Sequence, residues 1–161
     1  MTQLVKVLHF TNILCTALVA GGQVLISMVI LPVKRRWSVG RALQLHQDTL
    51  DHMPDRYLKP TLLLSGATVG ASSLILLVQR KFKRSIALVT FTNLLGMIGV
   101  IATSRYFNVR TNKMMKTWTE ESIPANYRQI EQRWDKIHLI RTASGILTLV
   151  SAILAGLLNE R

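Results

Sequence analysis

Hydrophobic positions along this chain fall into four long runs separated by strongly basic stretches. Val7–Leu31, Thr61–Val78 and Ser85–Ser104 hold no Asp, Glu, Lys or Arg, and the fourth, Ile137–Leu158, admits only Arg141, with His138, near its start. A helix needs roughly 20 apolar residues to cross the hydrocarbon of a bilayer, and each run is close to that length. The pattern predicts an all-α protein: a four-transmembrane-helix bundle with helices at about 7–31, 61–78, 85–104 and 137–158. It reads as a single integral membrane domain over 1–161, multi-pass, in a membrane the sequence does not identify. The first run continues beyond the core of a signal peptide to Pro32 and the Lys34-Arg35-Arg36 cluster, so it is expected to be a retained helix that ends at Leu31-Pro32.

The connections are unequal. Val33 to Pro60 is too long for a turn, and its centre from Arg41 to Met53, with Leu43, Leu50 and Met53, suits a short interfacial helix broken at Pro54. Gln79 to Arg84 is a short basic loop, which makes the second and third helices antiparallel neighbours. Arg105 to Lys136 reads as two helical extensions hinged at Ser122–Asn126. With four spans, both termini and the short loop share one side, and the two long, partly helical connections share the other. Lysines and arginines crowd both sides, so the positive-inside rule assigns no orientation.

Composition alters this picture little. A hydrophobic fraction of 49% is ordinary for a globular protein, so the distribution, not the total, argues for a membrane. The formal net charge of +12 would suit nucleic acid, but the charges sit beside apolar spans and no basic-aromatic module appears. Membrane lipids are the expected partner, and nucleic acid is not. Cys15 is the single cysteine, which excludes an internal disulfide.

Ionisable groups inside a span are costly and face the bundle interior or a partner. Trp134, His138 and Arg141 are spaced i, i+4, i+7 and so share one helix face. The topology brings them to the same end as His46, Asp51, Asn108 and Asn112. Asp51 is placed to pair with Arg141 or to orient His138, and the amides of Asn108 and Asn112 to donate to a carbonyl or oxyanion. The histidines and acids lack the spacing of a metal site, so no metal is expected. His9, Asn12, Gln23 and Asn93 read as buried polar groups bonding across helices, and Gly21, Gly22, Gly66, Gly70, Gly96 and Gly99 as points of close helix approach.

Three stretches carry a resemblance to a known family. Leu45–Leu64 (LHQDTLDHMPDRYLKPTLLL) has a His-Gln pair, then Asp-Arg and a proline opening the second span; Thr103–Trp118 holds an Asn-Val-x-x-Asn block ending in Trp; Arg133–Thr142 reads Trp-x-x-x-His-x-x-Arg-Thr. Together with the span pattern they resemble the anthrone-oxygenase-like family of small four-helix membrane proteins. Arg110 stands where that family usually has proline, and Pro54 lies just before the Asp-Arg pair.

The resemblance implies oxidation of an anthrone-type phenolic or polycyclic aromatic by O2, without a cofactor. On that reading His138, or else His46, is the base, and Arg141 stabilises enolate and peroxide charge with help from Asn108 or Asn112. Trp134 and Trp118 supply a flat apolar wall. The alternative is a non-enzymatic small membrane subunit or assembly factor. The first reading expects a monomer or small homo-oligomer, the second a larger membrane complex.

Overall fold

The computed structural model describes residues 3–53, 57, 59–78 and 84–160; within these, the side chains of residues 49–53 and Asn108 are among those outside the described set. Among the described residues the protein is all-helical, with no strand. Helix α1 runs from Gln3 to Lys34, α2 from Val39 to Met53, α3 from Lys59 to Val78 and α4 from Arg84 to Ala102. A π-helical segment, Thr103–Asn108, joins α4 to α5, Val109–Lys116. A 3-10 turn at Glu120–Ser122 precedes α6, a 34-residue helix from Tyr127 to Glu160. Two of these helices, Gln3–Lys34 and Tyr127–Leu158, are long and apolar enough to cross a membrane.

Two boundaries differ from the sequence expectation. Helix α1 does not stop at Leu31-Pro32 but continues to Lys34. A π turn over Ile26–Ile30 closes with the Leu31 N–H on the Ile26 carbonyl, so Pro32, which has no N–H, follows a stretch already off the regular ladder. Helix α6 begins at Tyr127, because the second helical piece expected after Ser122–Asn126 runs unbroken into the apolar run at Ile137, its Glu131 and Asp135 pairing with Lys34 and Arg35. The short helix expected at Arg41–Met53 appears as α2, and the Arg105–Lys136 connection is two helical pieces as expected. The break at Pro54 and most of the short basic loop lie outside the described residues.

Helix α6 packs most extensively against α4 and then α1, α1 packs against α3, and a smaller α3–α4 contact closes the ring. The outer face is apolar, with Leu63 74% exposed and Phe91 58% exposed. The interior holds His9, Asn12, Thr16, Gln23, Ser65, Asn93 and Thr148, all buried. Asn12 accepts from the Ser65 hydroxyl at 2.8 Å, and the Asn93 amide donates to the Thr148 carbonyl at 3.0 Å, so these two bond across helices as expected, whereas the Gln23 side-chain amide has no hydrogen-bond partner among the described residues.

The glycines divide. A Cβ on Gly96 would meet the Thr148 side chain, and lie 3.0 Å from the Ser144 carbonyl oxygen and 3.1 Å from the Thr148 nitrogen, so α4 and α6 approach closely there. Gly70 has nothing within 4 Å of such a Cβ. Gly96→Ala is therefore expected to destabilise the protein by about 1–3 kcal/mol, since backbone must move. Gly70→Ala is expected to be neutral or stabilising by up to about 1 kcal/mol. Thermal unfolding in detergent measures both, and equal effects would contradict this packing.

Candidate functional site

The face shared by Trp134, His138 and Arg141 turns inward, and α2 crosses it with His46. All four are buried: His138 is 0% exposed, His46 6%, Trp134 8% and Arg141 9%. The rings of Trp134 and His138 stack with centroids 5.1 Å apart and planes 8° from parallel. His46 meets Trp134 edge-on, at 4.8 Å and 76°. Arg141 reaches back one turn to His138, as long side chains on a helix do.

Hydrogen bonding fixes the state of the His138 imidazole. The Arg141 guanidinium, which can only donate, bonds the His138 Nδ1. His138 must therefore carry its proton on Nε2, which faces the backbone carbonyl of Gln23 at 3.3 Å. Both ring nitrogens are occupied. His46 differs: its Nε2 has no hydrogen-bond partner among the described residues, and the Asn112 amide, which favours the charged ring, lies beside it. A neutral ring with its proton on Nδ1 presents its Nε2 lone pair. Burial, reinforced by the Lys34 charge, lowers the His46 pKa from 6.5 to about 4, with weaker opposing effects from Asn112 and Glu131, so the ring is neutral near pH 7.

Asn112 accepts from Trp134 Nε1 at 3.0 Å, so its amide oxygen orients the indole. Arg141 donates to the Ser104 hydroxyl at 3.4 Å, and its Nε has no partner among the described residues. Ser27 and Thr142 share a hydrogen bond of 2.9 Å, and Thr142 also approaches the Gln23 carbonyl at 3.5 Å. Ser27 and Ser104 lie within the two π turns, Ile26–Ile30 and Thr103–Asn108, which therefore flank the column; such distortions of a helix recur at functional sites.

A buried ion network closes this end of the bundle. Lys34, 3% exposed, lies 3.3 Å from Glu131 and 3.7 Å from Asp135, with its ammonium 5.1 Å from the Trp134 ring centroid. Arg35 binds Asp135 at 2.9 Å, and Arg128 binds Glu131 at 2.7 Å. Among the described residues no group of three His, Cys, Asp or Glu could hold a metal.

The structure thus brings His46, Asn112, Trp134, His138 and Arg141 together. It does not bring Trp118 to them: this ring packs edge-on against Tyr127, 6.1 Å away, in a separate apolar cluster with Leu43 and Met115. The Asp51 and Asn108 side chains lie outside the described residues. Lys34, Glu131, Gln23 and Ser104 were not singled out from the sequence as site residues. The Glu131–Asp135 spacing of four, flanking Trp134, was a signal for a charged partner; nothing marked Lys34 among its basic neighbours as the buried one.

Residues 53–154 match the family model described as anthrone oxygenase. No curated protein and no solved structure matches. The matched stretch includes Asn112, Trp134, His138 and Arg141, while His46 and all of α1 precede it.

Proposed function

The chain belongs to the anthrone oxygenase family, and we propose that it oxidises an anthrone-type or related phenolic polycyclic substrate with O2, without a cofactor, at the membrane interface. The observation that carries this reading is the arrangement of a neutral, buried His46 with a free lone pair and a buried Arg141 whose hydrogen-bond partners among the described residues are uncharged. A guanidinium so placed favours an oxyanion ligand. The chain is read as a four-pass membrane protein, supported by its apolar outer face and polar interior.

In this mechanism His46 Nε2 removes a proton from the activated ring CH2, and the electron pair spreads into the ring system as an enolate. Arg141 holds the enolate oxygen. The carbanion joins O2, forming a C–O bond, and the resulting peroxide takes a proton to become a hydroperoxide. Loss of the second CH proton with cleavage of the O–O bond leaves a carbonyl and water, so CH2 plus O2 gives C=O plus H2O. His138 positions Arg141 and stacks on Trp134; this departs from the sequence reading of His138 as the first choice of base, because both its nitrogens are already bonded. Both His46 and His138 contact the Trp134 ring, with centroids 4.8 and 5.1 Å away, so the three rings form one aromatic surface.

Purified protein in mild detergent, given anthrone, is expected to consume one O2 per quinone formed, with no added metal or reductant. A rate equal to that in detergent alone, with a fixed set of copurifying subunits, would overturn the enzymatic reading in favour of a subunit of a larger complex.

A further inference from the structure

We propose that Gln47 is a positioning residue of the site: its carboxamide clamps α2 to the C-terminal end of α5 and thereby fixes His46 in its contact with Trp134. Its effect on turnover rests on the reading of His46 as the base, whereas its effect on geometry does not.

The His-Gln pair of α2 and the Asn-Val-x-x-Asn block that ends in Trp118 meet in the fold. Gln47 Nε2 donates to the Met115 carbonyl at 2.8 Å and to the Trp118 carbonyl at 3.0 Å. Both acceptors are backbone oxygens, so only the NH2 of the amide fits there, and both its hydrogens are used. The last four carbonyls of a helix lack partners within it, and Met115 is the next-to-last residue of α5. Trp118 lies between that helix and the 3-10 turn at Glu120–Ser122. Gln47 therefore ties two points of the chain leaving α5 to the middle of α2.

The other contacts of α2 are of a different kind. Leu43 is buried in an apolar cluster with Met115 and Tyr127, and His46 meets Trp134 edge-on. Apolar contacts are not directional and let a helix slide or roll, whereas hydrogen bonds hold length and angle. Neighbouring residues on a helix point about 100° apart, so while Gln47 grips α5 the adjacent His46 is turned to α6. Asn112 lies three residues before Met115 on the same short helix and accepts from Trp134 Nε1. The clamp thus joins the helix that bears His46 to the helix that orients the indole it touches. A bond that served stability alone would leave the surroundings of His46 unchanged when removed. This one, next to His46 in the chain, controls them.

The full chain in mild detergent, its histidine rings labelled with 15N, is titrated by NMR, and His46→Gln identifies the His46 signal. Lys34 from α1, Asn112 from α5 and Glu131 from α6 act on this ring, and Gln47→Leu changes none of them. In the unaltered protein the ring is expected to titrate at about 4, with nuclear Overhauser contacts to the Trp134 indole. Gln47→Leu keeps the size and loses the donor. It is expected to weaken those contacts and to raise the midpoint by about one pH unit or more towards 6.5, as α2 shifts and water reaches the ring. Gln47→Asn, one methylene too short to span both carbonyls, serves if Gln47→Leu does not fold. With anthrone, turnover of the variant is expected to fall about 10–100-fold. A folded variant whose midpoint stays at about 4 with its contacts intact, even at a lowered melting temperature, makes Gln47 a staple for stability and overturns the proposal. A shifted ring with turnover unchanged, or with none in either protein, upholds the positioning by Gln47 and overturns the reading of His46 as the base.

Discussion

Exchanging His46 for glutamine lowers turnover of an anthrone-type substrate by about 10²–10⁴, the usual contribution of a positioned general base. Glutamine keeps the size and a donor for Asn112 but has no basic lone pair. His138→Gln costs less, because an amide oxygen still accepts from Arg141 and the stacked position on Trp134 is filled by a planar group. The pH profile separates the two histidines. The base must be neutral, and burial together with Lys34 holds the His46 pKa at about 4. Activity is therefore fully present above pH 5 or so and falls tenfold per pH unit below about 4, whereas an unperturbed histidine would begin to lose activity near 6.5. Steady-state oxygen uptake across pH 3.5–8 measures this limb. A His46→Gln protein with near-normal rate, or a His138→Gln protein that alone is inactive, would return the base to His138.

How much of this was legible in the residues follows from what each signal measures. Length without charge marks candidate spans, so the four apolar runs and the short α2 could be placed within a few residues. Helix continuity was harder. Whether α1 passes Pro32 depends on the π turn at Ile26–Ile30, and whether α6 starts at Tyr127 depends on cations from α1, and neither is a local property. The i, i+4, i+7 spacing gave the inward face of Trp134, His138 and Arg141 because a helix fixes that relation within one element. Tautomers and lone pairs are set by contacts the spacing does not give: Arg141 and the Gln23 carbonyl occupy both nitrogens of His138, whereas His46 Nε2 has no partner among the described residues. For the same reason Trp118, four residues from Met114 along a polar segment, could not be separated in advance from the wall formed by Trp134.

The second large effect concerns the ion network that holds the column in place. Removing both carboxylates, Glu131→Gln with Asp135→Asn, leaves the Lys34 ammonium buried without an anion. An uncompensated buried charge of this kind costs about 3–5 kcal/mol. Arg35 and Arg128 then lose their partners too, but their side chains are 55% and 40% exposed and turn to water at little cost. Adding Lys34→Met to the pair removes the stranded charge with a side chain of similar length, so the triple variant recovers most of the lost stability. The cycle also reads out function. Lys34 acts on His46 through its charge and lies near the Trp134 face, so Lys34→Met raises the pH at which activity is lost on the acid side, even where the fold is intact. Thermal unfolding of the single, double and triple variants, paired with their pH–rate profiles, tests both claims. Losses that simply add, with no recovery in the triple variant, would mean the three groups do not form one network, and an acid limb that stays at its original pH would mean Lys34 does not tune the base.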